Sequence, residues 1–295
     1  MDLRASSTAL DTVLFVLLVG VAVGTLAGVG DRRAPDENRV AEETADLLAT
    51  TTAEVAYTRS ARVQSSALLD GDDTVTVTVD RTARGKRAEL LAAAAVADPS
   101  LGGARLTGTG GTLEAAARNA TRRVLHTREA DAQVSVTWWP YPGATLRSSF
   151  TAGDSPPRDA DVSVATVTAA SGVPNVTGAA RRAARTGGFE AVGTVLAEAV
   201  VAGLFPQAET RAALYSEGPD RALVAHRYRR ASTALGVETA EFLTPERVDR
   251  ANRRLSGALA ERLSADLRRR YDSPEEAARA VQAHRVRVVV RTWSG

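Results

Sequence analysis

Residues 285–293 read Arg-Val-Arg-Val-Val-Val-Arg-Thr-Trp, close to the C-terminus of a 295-residue chain. Val286, Val288 and Val290 recur at the two-residue period of a strand, and β-branched residues fit its pleated backbone. The stretch ends a helical pattern that begins after Ser171-Gly172 and runs for more than a hundred residues. Ahead of that pattern lie further strand-like runs. TVTVTVD at 74–80 places valines on one face and threonines on the other. QVSVTWW at 133–139 aligns Val134, Val136 and Trp138 before Pro140-Tyr141-Pro142-Gly143 stops it. A short strand is expected at 146–150, a loop at 153–159, and valine alternation resumes at 161–168. Strands, then helices, then one returning strand predict an α+β domain whose last strand rejoins the earlier sheet, antiparallel or mixed, with a helix-rich C-terminal half. RVVVRTW also echoes QVSVTWW, but two short matches do not establish a duplication.

The helices follow from spacing. From Asp36, a candidate N-cap after Pro35, Val40, Leu47, Leu48 and Val55 share a face, and the pattern runs to the Asp70-Gly71-Asp72-Asp73 turn. Alanine-rich helices are predicted at 86–97 and 112–127, joined by the glycine-rich SLGGARLTGTGG. Phe189, Val192, Val195, Leu196, Ala199 and Val200 form an apolar stripe closed by Gly203 and Pro206. Glu198 at its middle and its short length favour a core helix over a membrane span. Thr244-Pro245 starts a long helix with Val248, Ala251, Leu255, Leu259, Leu263, Leu267 and Tyr271 in register. Ser273 and Glu276 fit a capping box.

Chemistry is mostly absent from the sequence. There are no cysteines, which removes disulfides, thiolate metal sites and cysteine nucleophiles. His126, His226 and His284 have no metal-ligand spacing, and there is no G-x-S-x-G elbow. Gly103 and Gly108 have phosphate-loop separation, but Thr109 stands where the lysine belongs, and a dinucleotide fingerprint fails at Leu113. The cluster reads as a flexible loop. Glu42-Glu43 and Glu275-Glu276 suit helix surfaces or starts. No catalytic residue, cofactor or metal is expected, and no small-molecule substrate is identified. Of 37 basic residues only Lys86 is lysine, and net charge is +2, which alone does not point to nucleic acid. Arginines gather at Arg181-Arg182-Arg185, at Arg227-Tyr228-Arg229-Arg230 beside His226, and at Arg268-Arg269-Arg270. Solvated faces paired with acids account for such clusters; lipid headgroups, an acidic partner or nucleic acid are the alternatives. The cluster at 226–230 is the one to test for partner contact, since tyrosine among arginines suits an interface.

The strongest positional signal is at the other end. Residues 12–30, TVLFVLLVGVAVGTLAGVG, are uncharged and about as long as the ~30 Å hydrocarbon core requires. The run exceeds the ~7–15 residues of a cleaved signal, and Ala27-Gly28-Val29 is a poor cleavage site, so a retained anchor is predicted. Flanking arginines slightly favour a cytoplasmic domain, whereas sequons at Asn119 and Asn175 favour an exported one. The exported orientation is adopted, giving a single-pass protein of the cell membrane with its main domain outside.

Arg4-Ala5-Ser6-Ser7-Thr8 before this run resembles the class III signal peptide of archaeal type IV pilins. That resemblance implies cleavage between Ala5 and Ser6, with the apolar helix kept. Asp11 then stands near the new terminus, either meeting a neighbouring subunit's amine or simply marking the polar end of the helix. RASSTALD, EAVVAGLFP, HRYRRASTALG and VVVRTW together resemble an uncharacterised haloarchaeal membrane-protein family found beside type IV pilus (Tad-like) assembly genes. The chain departs from salt-loving proteins in lacking a large acidic excess. The resemblance implies a non-enzymatic pilin-like or pilus-accessory protein, its partners membrane lipid and other pilus subunits. A membrane-tethered hydrolase with a site formed only by folding is the alternative. The expected division is 1–30 signal and anchor, 31–35 linker, 36–170 α+β region, 171–284 helical region and 285–295 terminal strand.

Overall fold

The computed structural model describes residues 35–64, 74–126 and 131–294. The apolar run at 12–30, Ala5, Ser6, Asp11 and the 70–73 turn lie outside the described residues.

Helix α1, Pro35–Thr50, starts one residue before its expected cap, because proline in a first turn has no N–H to leave unpaired. It also stops early. The chain enters an antiparallel hairpin, β1 (Thr52–Gln64) and β2 (Thr74–Lys86), so Val55 is a buried strand residue and not part of the helical face. Thr52, Val55, Tyr57 and Thr58 favour extended backbone, and β2 supplies the hydrogen-bonding partner.

Helices α2 (Arg87–Ala97) and α3 (Gly111–Leu125) follow, separated by the two-residue strands β3 (Ser100–Leu101) and β4 (Ala104–Arg105). The glycine-rich connection, expected as a flexible loop, is thus a small hairpin turning at Gly102 and Gly103, both at positive φ. Strands β5 (Asp131–Trp138), β6 (Leu146–Gly153), β7 (Ser163–Ala170) and β8 (Arg285–Trp293) complete a six-stranded sheet of order β4-β3-β6-β5-β8-β7.

The returning strand enters the interior of this sheet, between β5 and the edge strand β7. Val288 pairs with Val136 on β5 and with Val167 on β7, all antiparallel. The two stretches that echo each other in sequence are therefore hydrogen-bonded neighbours, while 74–80 belongs to the separate hairpin. Val134, Val136, Trp138, Val286, Val288 and Val290 are fully buried on one face, which α1, α2 and α3 cover. Each such side chain contributes about 1.5–3 kcal/mol by leaving water. The opposite face shows Thr166, Thr168, Arg287 and Arg291, the polar side of an antiparallel sheet.

The C-terminal half is helical: α4 (Thr177–Leu204), α5 (Gln207–Tyr215), α6 (Pro219–Leu235), α7 (Val248–Arg270) and α8 (Pro274–Arg279). Helix α7 begins past Pro245 and buries Val248, Ala251, Leu255, Leu259, Leu263 and Leu267. It packs so tightly on α4 that a Cβ at Gly193 would stand 2.1 Å from Ser264 Oγ. Among the described residues, α4 is the one helix long and apolar enough to cross a membrane by length and composition. Its stripe of Val192, Leu196, Ala199 and Val200 is nonetheless buried against the rest of the protein. At α8 the Ser273 hydroxyl accepts from Glu276 N–H at 3.2 Å, and the Glu276 carboxylate reaches the Asp272 N–H at 3.3 Å, one residue short of a full box. One continuous apolar cluster takes in residues from Ala41 to Val290, joining the α+β and helical regions.

Candidate functional site

Helix α6 carries the cluster at 226–230. Pro219 opens it, and Gly236 closes it in the left-handed conformation with Val237 N–H donating to Ser232 O at 3.0 Å. The helix divides the cluster by face. Tyr228 points inward with no exposed surface, its ring 4.6 Å from Phe205, and donates to Asn252 Oδ1 at 2.6 Å. Burial pushes its hydroxyl up to about 12. Tyr228 is thus a core residue and offers no surface to a partner.

Arg227 is also committed inside. It donates to the Leu204 carbonyl at 2.6 Å, where a cation suits the end of α4, and its guanidinium lies 5.4 Å from the Phe205 ring centroid. Burial, with Arg59 nearby, lowers it to about 10. Desolvation holds the Glu209 carboxyl above its usual range, an effect the same two arginines offset only in part. Arg229 and Arg230 are exposed.

His226 and Arg230 line a cavity of about 410 Å³ with Ser60, Ala61 and Arg62 of β1, Thr76 of β2 and Gly108. Gly108, at φ 69, lies so close that a Cβ there would meet Arg230 Nε at 3.2 Å and His226 Nε2 at 3.4 Å. The buried Asp98 carboxylate holds this wall, accepting from Thr107 N–H at 2.9 Å, Thr107 Oγ1 at 3.0 Å and Gly108 N–H at 2.9 Å. The opposite wall is anchored where Ala61, Val63 and Val77 of the hairpin pack on Ala222 and Leu223, and Arg81 pairs with Asp220. Desolvation lowers the His226 pKa, and Arg229 and Arg230 lower it further; a hydrogen bond to the Arg62 backbone and the charge of Asp98 oppose this.

A second basic cluster is built differently. On α7, Asp266 is almost wholly buried and accepts from Tyr141 OH at 2.8 Å, Thr145 N–H at 3.1 Å, Arg269 at 2.9 Å and Arg270 at 3.2 Å. Burial alone would raise Asp266, but the Tyr141, Thr145 and Arg270 hydrogen bonds outweigh it, and the carboxyl ends below its usual range. Burial, followed by the Asp266 contact, drives the Tyr141 hydroxyl upward. Arg268 pairs with Glu190 at the rim of a groove of about 510 Å³ between α4 and α7.

The other predicted residues are scattered. Asn119 is exposed but sits inside α3, with the Thr121 hydroxyl turned back onto Ala117 O at 2.9 Å. Asn175 is exposed ahead of α4, and its side chain accepts from Thr177 N–H and Thr177 Oγ1 at 3.1 and 2.9 Å. His126 ends α3 and His284 precedes β8, where it accepts from Arg285 at 2.9 Å; neither lines the His226 cavity. Among the described residues no group of three His, Asp or Glu could hold a metal ion.

Arg62, Asp98 and Asp266 escaped the sequence reading. Asp98-Pro99 was a turn signal, and Asp266 interrupts the apolar stripe beside Leu263 and Leu267. Nothing local marked Arg62.

Residues 10–293 match the model of a family described as Family of unknown function (DUF7284). The chain belongs to DUF7284. No curated protein and no solved structure matches this DUF7284 chain.

Proposed function

We propose that this DUF7284 protein is a membrane-anchored, non-enzymatic component of a type IV pilus-like system, acting outside the membrane through protein contacts. The observation that carries the reading is the uncharged run at 12–30, only a few residues ahead of α1. The family match begins at residue 10 and so takes in that run, which supports an anchor shared across the family. The RASSTALD start supports pilin-like processing between Ala5 and Ser6. Exposed Arg229 and Arg230 remain available for partner contact, and exposed Asn175 suits an outside location.

Fractionation of cells followed by N-terminal sequencing tests the reading. The chain is expected in the membrane fraction after carbonate washing, with a mature terminus at Ser6 and α1 onward open to protease on intact cells. Recovery in the soluble fraction overturns the anchor; an intact Met1 overturns the processing.

A further inference from the structure

The 106–111 loop fails as a phosphate-binding loop because threonine occupies the lysine position, yet the fold brings cations to it from elsewhere. Gly108 packs directly against Arg230 and His226 of α6, and Arg62 of β1 lines the same cavity. Among the described residues no carboxylate lines it, and neither Arg62 nor Arg230 forms an ion pair. Asp98, behind the loop, is already engaged by Thr107 and Gly108. Guanidinium groups only donate, and the Ser60 and Thr76 hydroxyls can donate as well. Two planar, permanently charged donors from different elements, with hydroxyls in the same lining, suit an oxyanion that presents several acceptors. At about 410 Å³ the cavity has room for more than a bare ion, within the usual range for small-molecule sites.

We infer that the cavity between β1, the Gly108 loop and α6 binds the phosphate group of a small molecule, gripped by Arg62 and Arg230 with Ser60 and Thr76 as further donors. His226 forms the side wall and is held to the β1 backbone. The site is independent of membrane anchoring.

The test uses the full chain in detergent micelles, titrated with inorganic phosphate and with adenosine monophosphate at constant ionic strength. Binding is read by calorimetry. Saturable binding of adenosine monophosphate is expected, weakened at least about tenfold by Arg230→Gln or Arg62→Gln, the loss of roughly one charge-assisted contact. Arg229→Gln removes the same charge one residue away and should leave affinity unchanged. Saturation by inorganic phosphate as well means that the phosphate group suffices; saturation by the nucleotide alone means that the body of the ligand contributes. Either supports the site. Failure of both probes to saturate below roughly 10 mM overturns it, as does an equal loss in Arg229→Gln. Thermal unfolding of each variant near the unmodified value confirms that lost binding is not lost folding.

Discussion

The arginines of α6 and α7 look alike in sequence and do opposite work. Arg269 and Arg270 converge on one buried carboxylate, Asp266, which also receives Tyr141 and the Thr145 N–H, so the turn between β5 and β6 is tied to α7. Arg229 and Arg230 meet no carboxylate among the described residues, and Arg230 faces a cavity instead. Arg269 and Arg270 spend their charge on an acid within hydrogen-bonding reach; Arg229 and Arg230, with none among the described residues, keep theirs available to a ligand.

Substitutions can break this contrast. Asp266→Ala should have the largest effect, about 2–4 kcal/mol, because it leaves the buried Tyr141 hydroxyl and the Thr145 N–H without their acceptor, while Arg269 and Arg270 can turn to water. Urea unfolding of the full chain in detergent measures it, and a loss under ~1 kcal/mol would show that the buried carboxylate is not the tie. Tyr228→Phe keeps the ring against Phe205 but removes the bond to Asn252, for an expected loss of about 1 kcal/mol in the same measurement. Arg268→Gln breaks an exposed pair with Glu190 and should cost no more than about 0.5 kcal/mol. Arg229→Gln should fall within about 0.5 kcal/mol of no change, and a larger loss would mean that this surface is already in structural use.

Acid separates the regions too. His226 and His284 are both lowered in the folded state by burial and by neighbouring arginines, so between the folded pKa and about 6.5 the unfolded chain binds more protons. Their stabilisation is present above that window and is lost as pH falls through it. Asp266, also lowered, holds its contribution until pH drops below the usual aspartate range near 3.9. Unfolding midpoints measured from pH 8 to pH 3 should therefore fall in two stages, and His226→Gln should flatten the first.

The strands were legible wherever β-branched residues alternate: residues 285–293 read alone as the strand that is found there. Strand β1 was not, since Val55 also continues the helical spacing of Leu47 and Leu48, and only pairing with β2 decides between the two periods. The burial of Tyr228 was readable in principle. Val224, Tyr228, Ala231 and Leu235 make a helical stripe, hidden by the attention that neighbouring arginines draw. The cavity could not be read, because Arg62, Gly108 and Arg230 share no local pattern.

Sequence alone determined the alternation that makes strands, the stripes that make helices and the uncharged run ahead of them. Those depend on backbone periods a few residues long. Tertiary structure decided that β8 slots between β5 and β7, that Asp266 gathers four donors, and that arginines from β1 and α6 share one cavity. Such contacts join residues far apart in the chain, and they exist only once the sheet has paired and the helices have packed.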